Sequence, residues 1–368
     1  MIIYHDLFFC SRWGGPEFFQ QLSQKVNWTK DIKCKKIAMP QDEFVYGKYL
    51  DLFMREFSID AVFSVSPPSE WNKIYPNVDK QKTRFYEVLT GYIDDGTLAE
   101  ANRLLKEIPA RDVDIGYRAG GRNWRQAMWL GEHGLLKIEL GDKLRTFFTE
   151  NSQYKVDIST DSKDTLMGLD WLRFLCRSKF TIGIEGGASI LDWEGKYREK
   201  TLSFVQNNPE ASREEIVKEC LENAEGTLSY FMLSPRHLEA PVAKSCQVLL
   251  ESNYNGILIP DLHYIQVKRD FSNLHEVLKK MQDEQFCKNL VNNAYRDIVA
   301  SGKYTYRNFV NIILSNSRID SISSSLLDTL RVKINQVYDK TSWIKLFIRY
   351  SPKMVIPKKV YAKLRRYI

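Results

Sequence analysis

Residues 234–267 read SPRHLEAPVAKSCQVLLESNYNGILIPDLHYIQV, and this stretch of sequence decides the class of fold. A polar turn leads into residues 240–250, whose apolar side chains recur at helical spacing. Residues 256–267 then predict two short strands, the first of them buried. A loop, a helix and a strand in this order indicate one unit of a parallel α/β sheet. In such sheets a loop that enters a helix can hold a nucleotide, so Arg236 and Glu239 in the turn are candidate binding residues.

The same alternation of strand and helix occurs twice more upstream. Residues 36–65 predict a strand, a helix and a strand, and residues 112–184 predict three strands separated by two helices. With 368 residues the chain is long enough for two α/β domains. We therefore expect a first lobe at residues 1–110, a second lobe at residues 111–310, and C-terminal helices with a basic tail at residues 311–368.

The composition is that of a globular protein, with 43% hydrophobic and 27% charged residues. No apolar run approaches the roughly 18 residues that indicate a membrane-spanning helix. The start of the sequence has no basic leader and no small-residue cleavage site, so we expect no signal peptide. The six cysteines are scattered without a CxxC pair, which indicates reduced thiols, a cytoplasmic protein and no metal cluster.

The net charge of +7 is concentrated at the C-terminus. Residues 336–368 contain nine Lys or Arg and one acid, Asp339, so this segment carries +8 and the rest of the chain −1. Aromatic and aliphatic residues are interleaved with the basic ones, a mixture typical of an amphipathic segment on an anionic membrane surface. The alternative is a C-terminal helix that packs on the body with its lysines in solvent. A nucleic-acid partner is not expected, because it would favour positive charge spread over a folded face.

Asp42 and Glu43 follow the strand predicted at the start of residues 36–65. Working loops follow the strands of a parallel sheet, so both carboxylates are candidates for handling an acceptor or serving as a general base, with His5 as a third candidate base. The two acids could equally cap the next helix.

Arg118 and Lys137 enclose a loop with paired glycines and the start of a helix predicted at residues 135–148. An arginine, paired glycines and a lysine early in a helix form an arrangement that neutralises a diphosphate, assisted by backbone amides and the helix dipole. The alternative is that both side chains are solvated surface charges.

Glu185 follows the strand predicted at residues 180–184 and precedes Gly186, Gly187 and Ser189. A carboxylate together with free backbone amides at the ligand edge of a sheet suits a sugar or a phosphate. The alternative is that Glu185 caps a helix.

Five motifs give the second lobe a resemblance to a known family. They are IGYR (115–118), GLLK (134–137), IGIEGGAS (182–189), SPRHLEAP (234–241) and the run from GILIPDLHYI to DF (256–271). Together they resemble the C-terminal domain of group 1 glycosyltransferases, and among these the spore-protein glycosyltransferase-like subgroup of surface-polysaccharide clusters. The resemblance implies the GT-B fold, in which two Rossmann-like lobes face a cleft. It also implies a nucleotide-sugar donor mainly in the second lobe and an acceptor mainly against the first.

The resemblance extends to individual positions. Glu239 looks like the carboxylate that holds the donor ribose hydroxyls, and Arg118 and Lys137 look like the pair that neutralises the diphosphate. Many relatives carry a second glutamate eight positions before the ribose-binding one, where this chain has Phe231. Glu185 is a candidate substitute for this missing acid. A GT-B enzyme can stabilise the leaving diphosphate with cationic side chains and helix amides, so neither a metal nor another cofactor is expected.

These expectations define a metal-independent glycosyltransferase of surface polysaccharides such as an O-antigen or lipopolysaccharide. It would move a sugar from a nucleotide-sugar donor to a glycan, lipid-linked in the favoured version, and lie on the inner face of the cell membrane. Two alternatives remain at this point. One is a non-catalytic glycan- or nucleotide-binding module with the same fold, and the other is a membrane-surface scaffold.

Overall fold

A computed structural model describes residues 1–108, 110–119 and 123–317 of the chain. The predicted basic tail, residues 336–368, lies outside this described part, and so do Gly120, Gly121 and Arg122 of the loop after Arg118.

The described residues divide into two compact units. The first unit contains residues 1–64, 74–86 and 313–317, and the second contains residues 65–73 and 87–312.

Eleven strands occur in the described part of the chain. In chain order they are β1 (Ile2–His5), β2 (Lys36–Met39), β3 (Ala61–Ser64), β4 (Arg84–Glu87), β5 (Val113–Arg118), β6 (Val156–Ser159), β7 (Ser178–Gly183), β8 (Gly186–Ala188), β9 (Tyr230–Met232), β10 (Cys246–Leu250) and β11 (Tyr264–Val267).

Fourteen α-helices accompany these strands in the same described ranges. They are α1 (Asp6–Phe9), α2 (Pro16–Lys25), α3 (Gly47–Glu56), α4 (Trp71–Ile74), α5 (Asp95–Glu107), α6 (Trp124–Ala127), α7 (Gly131–Asn151), α8 (Leu169–Arg177), α9 (Lys196–Asn207), α10 (Arg213–Cys220), α11 (Arg236–Val242), α12 (Leu274–Gln282), α13 (Glu284–Ala294) and α14 (Tyr306–Ser317). A π-helical turn at Tyr295–Ala300 follows α13 directly.

The first unit is built on a four-stranded sheet with the order β1-β2-β3-β4. Strand β2 is parallel to both of its neighbours, with Ile37 opposite Ile3 on one side and Ala61 on the other. Helix α3 buries Leu50 and Phe53 and connects β2 to β3. The strand-helix-strand unit predicted at residues 36–65 is therefore confirmed.

The second unit is built on a five-stranded sheet with the order β11-β10-β7-β5-β6, in which all neighbouring strands are parallel. Numbered within this unit, the order is 2-1-3-4-5, as in doubly wound α/β folds. The direction of winding reverses between β5 and β7, and ligands of such sheets bind outside the carboxyl ends of the strands at this switch point. The predicted α/β class with parallel sheets is confirmed in both units.

The helix predicted at residues 240–250 is wrong over most of its length. Helix α11 ends at Val242, and residues 246–250 form the strand β10. All five residues of β10 are buried because the strand lies between β7 and β11 inside the sheet. Such a strand is apolar on both faces and shows no alternation that would distinguish it from a helix.

The buried strand predicted at residues 256–260 is also absent. This part of the chain is a 3-10 turn followed by a loop, in which Asn255 adopts the left-handed conformation at φ 53°. Leu258 is buried but Ile259 is 48% exposed, so the apolar run has one side chain in the core and one in solvent. A run of only five residues is too short for its periodicity to decide between strand and loop.

Strands β8 and β9 form a separate antiparallel ladder, in which Gly187 lies opposite Phe231. The segment between them, residues 189–229, is fully described and contains helices α9 and α10 but none of the eleven strands. Its two ends meet, since the Leu228 amide donates to the Ser189 carbonyl at 3.2 Å. We call residues 189–229 the excursion, because the chain leaves the ladder and returns to it.

Candidate functional site

A cavity of about 310 Å³ lies in the second unit at the carboxyl end of β5, beside the switch point of the sheet. Ten residues from five segments of the chain line it. They are Arg118, Ala119, Lys137, Thr165, Leu166, Trp171, Ser234, Pro235, Arg236 and Glu239. Four of the predicted donor-binding residues, Arg118, Lys137, Arg236 and Glu239, are thus brought together although they span 122 positions of sequence.

Arg118 is the last residue of β5 and is held firmly in the wall of this cavity. Its guanidinium pairs with the Asp157 carboxylate at 2.8 Å and donates to the Asp157 carbonyl at 2.9 Å. It also lies over the Phe174 ring, 4.4 Å from the centroid. Its Nε is buried and has no hydrogen-bond partner among the described residues. Arg118 is therefore a fixed cation, only 14% exposed, and not a solvated surface charge.

Arg236 begins α11 and ties this helix to the end of β5. Its Nη1 donates to the Arg118 carbonyl at 2.8 Å, and its guanidinium lies 5.6 Å from the centroid of the Trp171 ring. The side chain therefore braces the Ser234–Pro235 turn as well as adding positive charge to the cavity.

Glu239 and Trp171 form a hydrogen-bonded pair across the cavity wall, with the indole Nε1 donating to Oε2 at 2.7 Å. The bond fixes both the carboxylate and the plane of the indole. The sequence did not indicate Trp171, because it is one of several bulky residues in its helix and nothing in the sequence distinguishes it from the others. Trp171 is in fact half-buried in the cavity wall, whereas Leu172 and Leu175 of the same helix are buried.

Lys137 connects the cavity to the β7–β8 segment. Helix α7 begins at Gly131, four residues before the predicted start, so Lys137 lies in its second turn and not at its N-terminus. The Lys137 carbonyl accepts from the Tyr117 hydroxyl at 2.8 Å. A Cβ added to Gly186 would lie 3.7 Å from Lys137 Nζ, so the ammonium group lies close to that glycine.

Glu185, Gly186, Gly187 and Ser189 lie on this neighbouring segment and do not line the cavity. Glu185 lies between β7 and β8, two residues after the end of β7, and caps no helix; the residue is 1% exposed. One carboxylate oxygen accepts from the Ser252 hydroxyl, whereas Oε1 is buried without a partner among the described residues. Burial raises the pKa of Glu185, and the hydrogen bond from Ser252 opposes this shift.

The glycines of this segment belong to the ladder and not to an open loop. Gly186 and Gly187 form the start of β8, and the Ser189 amide donates to the Leu130 carbonyl at 2.9 Å. Gly187 has φ +129°, and a Cβ there would lie 1.7 Å from the Tyr230 carbonyl oxygen. Only glycine therefore permits the close approach of β8 to β9 at this point.

Asp42, Glu43 and His5 lie in the first unit. Asp42 is exposed, whereas Glu43 is fully buried and accepts from the hydroxyls of Ser64 and Tyr75, each at 2.6 Å. His5, at the end of β1, accepts from the Leu7 amide at 3.2 Å as the cap of α1.

The loop that carries Asp42 and Glu43 is contacted by a buried arginine that the sequence analysis did not single out. Arg12 is 0% exposed, and its guanidinium donates hydrogen bonds to four backbone carbonyls. The acceptors are Phe9, Gln41, Asp42 and Val45. Arg12 therefore helps to fix the position of the loop after β2, together with Asp6, whose carboxylate accepts from the Gln41 amide at 2.9 Å.

No helix in the described ranges is long and apolar enough to cross a bilayer. No group of three or more His, Cys, Asp or Glu side chains in them is placed to hold a metal ion.

Comparison with solved structures finds similarity to glycosyltransferases. HepE from Anabaena in complex with UDP-glucose is 9% identical, with 77% of this chain and 71% of that chain covered and a TM-score of 0.43. A glycosyltransferase from Rickettsia africae is 12% identical, with coverage of 83% and 74% and a TM-score of 0.41. Sucrose-phosphate synthase from Thermosynechococcus elongatus is 12% identical, with coverage of 82% and 71% and a TM-score of 0.39.

No protein-family model matches the chain, and no curated protein matches it. At identities and TM-scores this low, the solved structures assign no role to any residue.

Proposed function

We propose that this protein transfers a glycosyl group from a nucleotide-sugar donor to a glycan acceptor. One observation carries the proposal: a single cavity at the switch point of a parallel sheet is lined by three cations, Arg118, Lys137 and Arg236, and one carboxylate, Glu239. A nucleoside diphosphate presents the complementary groups, since its phosphates need positive charge and its two ribose hydroxyls can donate to a carboxylate.

The three cations would act on the leaving group. In glycosyl transfer the bond between the anomeric carbon and the diphosphate oxygen breaks, and the diphosphate leaves with the bonding electrons. Arginine and lysine side chains that are already in position stabilise this developing charge without further reorganisation. Such a site can work without a metal ion, so we expect donor turnover to persist in the presence of EDTA.

Trp171 and Leu166 would form the apolar part of the site. The indole Nε1 lies 2.7 Å from the Glu239 carboxylate, and this hydrogen bond holds the ring next to the position proposed for the ribose. A planar base attached to that ribose would then lie against an aromatic ring, an arrangement that favours stacking.

The acceptor side of the reaction requires a group that removes the proton of the attacking hydroxyl if the enzyme inverts. Asp42 is the stronger candidate of the two predicted acids, because Glu43 is buried and already accepts two hydroxyl hydrogen bonds. We further propose that the acceptor is a lipid-linked glycan at the cytoplasmic face of the membrane. The basic and aromatic sequence of residues 336–368 supports this part of the proposal.

Calorimetry with UDP, GDP, ADP and dTDP tests the donor site. We expect at least one nucleotide to bind, and Glu239→Ala to weaken it about 10- to 100-fold, the usual loss of roughly 1–3 kcal/mol for a charged hydrogen-bond partner. Glu276→Ala on the exposed surface of α12 is the matched control and should bind like the wild type. Unchanged affinity of the Glu239 variant would remove the ribose role, and no binding of any nucleotide by the wild type would reject the function.

A non-catalytic nucleotide-binding module is the second candidate, and Phe231 favours it. This residue stands where the resemblance implies a second glutamate, and its ring stacks on His133. Hydrolysis of the glucose conjugates of the same four nucleotides separates the two functions. A transferase should release the nucleotide slowly even without its acceptor, whereas a binding module should bind the conjugates and leave them intact.

A further inference from the structure

The first unit contains a cavity that the proposed function does not use. It has a volume of about 350 Å³ and lies between helices α2 and α3. Gln20 and Gln24 line it from α2, and Tyr49 and Phe53 line it from α3. Residues four positions apart lie on the same face of a helix, so the two helices form the two walls of this cavity.

The α2–α3 cavity is distinct from the loop that carries Asp42. Asp42 follows the carboxyl end of β2, whereas Lys30, six residues before β2, and Phe57, four residues before β3, both line the cavity. Because β2 and β3 are parallel, Lys30 and Phe57 lie toward the amino ends of these strands. One end of the cavity therefore lies at the edge of the sheet opposite to Asp42.

Carboxamide groups form the rim of the cavity. The side chains of Gln20, Gln24 and Asn27 are exposed, and none of the three carboxamides is hydrogen-bonded to another residue in the described ranges. Each carboxamide can both donate and accept. The Ser23 hydroxyl, which donates to the Phe19 carbonyl at 2.9 Å, keeps its oxygen as a further acceptor. The rim therefore offers uncharged donors and acceptors to a ligand.

The residues that line the cavity carry no net charge. Lys30 and Glu56 are the two charged residues among them, and they form an ion pair at 2.8 Å. The Lys30 ammonium also lies 4.7 Å from the centroid of the Phe57 ring. A phosphate or carboxylate ligand would thus find no uncompensated cation here, in contrast to the donor cavity with its three cations and one carboxylate. The α2–α3 cavity favours a neutral ligand.

Below the rim the surface of the cavity is apolar. Tyr49 and Leu52 are half-buried in its wall, and Phe19 and Phe53 are buried and form its floor. A purely apolar ligand would take the carboxamides of the rim out of water without replacing their hydrogen bonds. A matching ligand combines C–H groups for the wall with hydrogen-bonding groups for the rim. Sugar rings have both, since their faces carry C–H groups and their edges carry hydroxyls.

We propose that the α2–α3 cavity binds a neutral oligosaccharide. No bond is made or broken in this site, and it shares no residue with the donor cavity. The inference therefore goes beyond the proposed transfer reaction, and either of the two can fail without the other. In a transferase with a glycan acceptor, such a site would hold sugar units other than the one that reacts.

Saturation-transfer NMR on the full chain can test the site. The probes are maltohexaose, cellohexaose, laminarihexaose, chitohexaose and mannohexaose, with hexagalacturonic acid as an anionic counterpart. One variant, Gln24→Trp, fills the cavity, and the double variant Gln20→Ala/Gln24→Ala removes two carboxamides from its rim. Gln21 is exposed on the same helix but does not line the cavity, so Gln21→Trp and Gln21→Ala are the matched controls.

We expect the wild type to bind at least one neutral oligosaccharide of this panel more tightly than hexagalacturonic acid. Gln24→Trp should weaken this binding more than tenfold, and the double variant should weaken it about fivefold or more, because each lost carboxamide removes hydrogen bonds to the sugar. Both Gln21 variants should bind within about twofold of the wild type. All substituted positions are exposed, so thermal unfolding should show that every variant is folded.

Several results would overturn the inference. If the wild type binds no neutral oligosaccharide of the panel, the cavity is not a glycan site, and the donor site is unaffected by that result. If Gln24→Trp binds the oligosaccharide as the wild type does, the sugar binds elsewhere on the protein. If hexagalacturonic acid binds equally well, the site does not select neutral ligands. If sedimentation shows a dimer of the wild type that Gln24→Trp disrupts and Gln21→Trp does not, the cavity is an interface between two copies of the chain.

Discussion

His237 is a buried histidine whose role is structural. Its Nε2 donates to the Ile184 carbonyl at 3.0 Å, and a Cβ added to Gly183 would lie 2.6 Å from its ring. Burial and the nearby charge of Arg236 lower its pKa to about 3. The neutral ring therefore packs between α11 and β7, against Gly183 and Ile184.

The depressed pKa of His237 predicts that the folded protein loses stability in acid. An unfolded histidine titrates near pH 6.5, so between about pH 6.5 and 3 the unfolded chain binds a proton that the folded chain does not. The free energy of unfolding therefore falls as the pH falls, by about 1.4 kcal/mol per pH unit from this residue. Urea denaturation at pH 7.5, 6 and 5 should show this slope, and it should be smaller in His237→Gln. Equal slopes in the two proteins would contradict the assignment.

At the scale of single elements, the β8–β9 ladder depends on one glycine. Gly187→Ala would place a Cβ 1.7 Å from a backbone oxygen at a φ that other residues rarely adopt. We expect this substitution to lower the free energy of unfolding by at least about 2 kcal/mol. Gly302→Ala, with φ +68° and no atom within 4 Å of the added Cβ, is the control and should cost only about 1 kcal/mol. Chemical denaturation measures both, and equal losses would show that the contact with Tyr230 is unimportant.

Some elements could be predicted from the pattern of the sequence, and others could not. Helix α3 and the strands β2 and β3 alternate in the predicted order because each buries one face or one short run. Strand β10 was mistaken for helix because CQVLL is buried throughout the middle of the sheet. The loop at residues 256–260 was mistaken for strand because the left-handed turn at Asn255 cannot be read from composition.

Some residues of the site could likewise be predicted from the sequence, and others could not. Arg118, Lys137, Arg236 and Glu239 were indicated by charge at the ends of predicted strands and by motif, and the structure places all four around one cavity. Trp171 and Arg12 were not indicated. Their significance lies in which atoms are satisfied and which are not, and only three-dimensional contacts provide that information.

At the scale of the whole molecule, charge separates the C-terminal segment from the rest of the chain. Residues 336–368 carry +8, and all preceding residues together carry −1. A chain with this distribution of charge would bind an anionic surface through residues 336–368, and the nearly neutral remainder would contribute little to that binding.

Deleting residues 336–368 should abolish sedimentation with vesicles of anionic phospholipid at low salt. Each basic residue near such a surface contributes about 1 kcal/mol, and this attraction is screened as the salt concentration rises. The full-length protein should therefore sediment at low salt and be released at high salt. Vesicles of neutral phospholipid are the control. Sedimentation of the truncated protein with anionic vesicles would show that attachment lies elsewhere in the chain.

The excursion at residues 189–229 has a consequence for the order of folding. Its ends are joined between Ser189 and Leu228, and none of its residues forms part of the parallel sheet. The sheet can therefore acquire its strand order while helices α9 and α10 are still undocked. The entropy lost in closing this segment is lost when its two ends meet at Ser189 and Leu228, and it does not depend on where the helices lie. Docking onto α7 through the Arg213 contacts with Glu132 and Glu139 can then follow as a late, separable step.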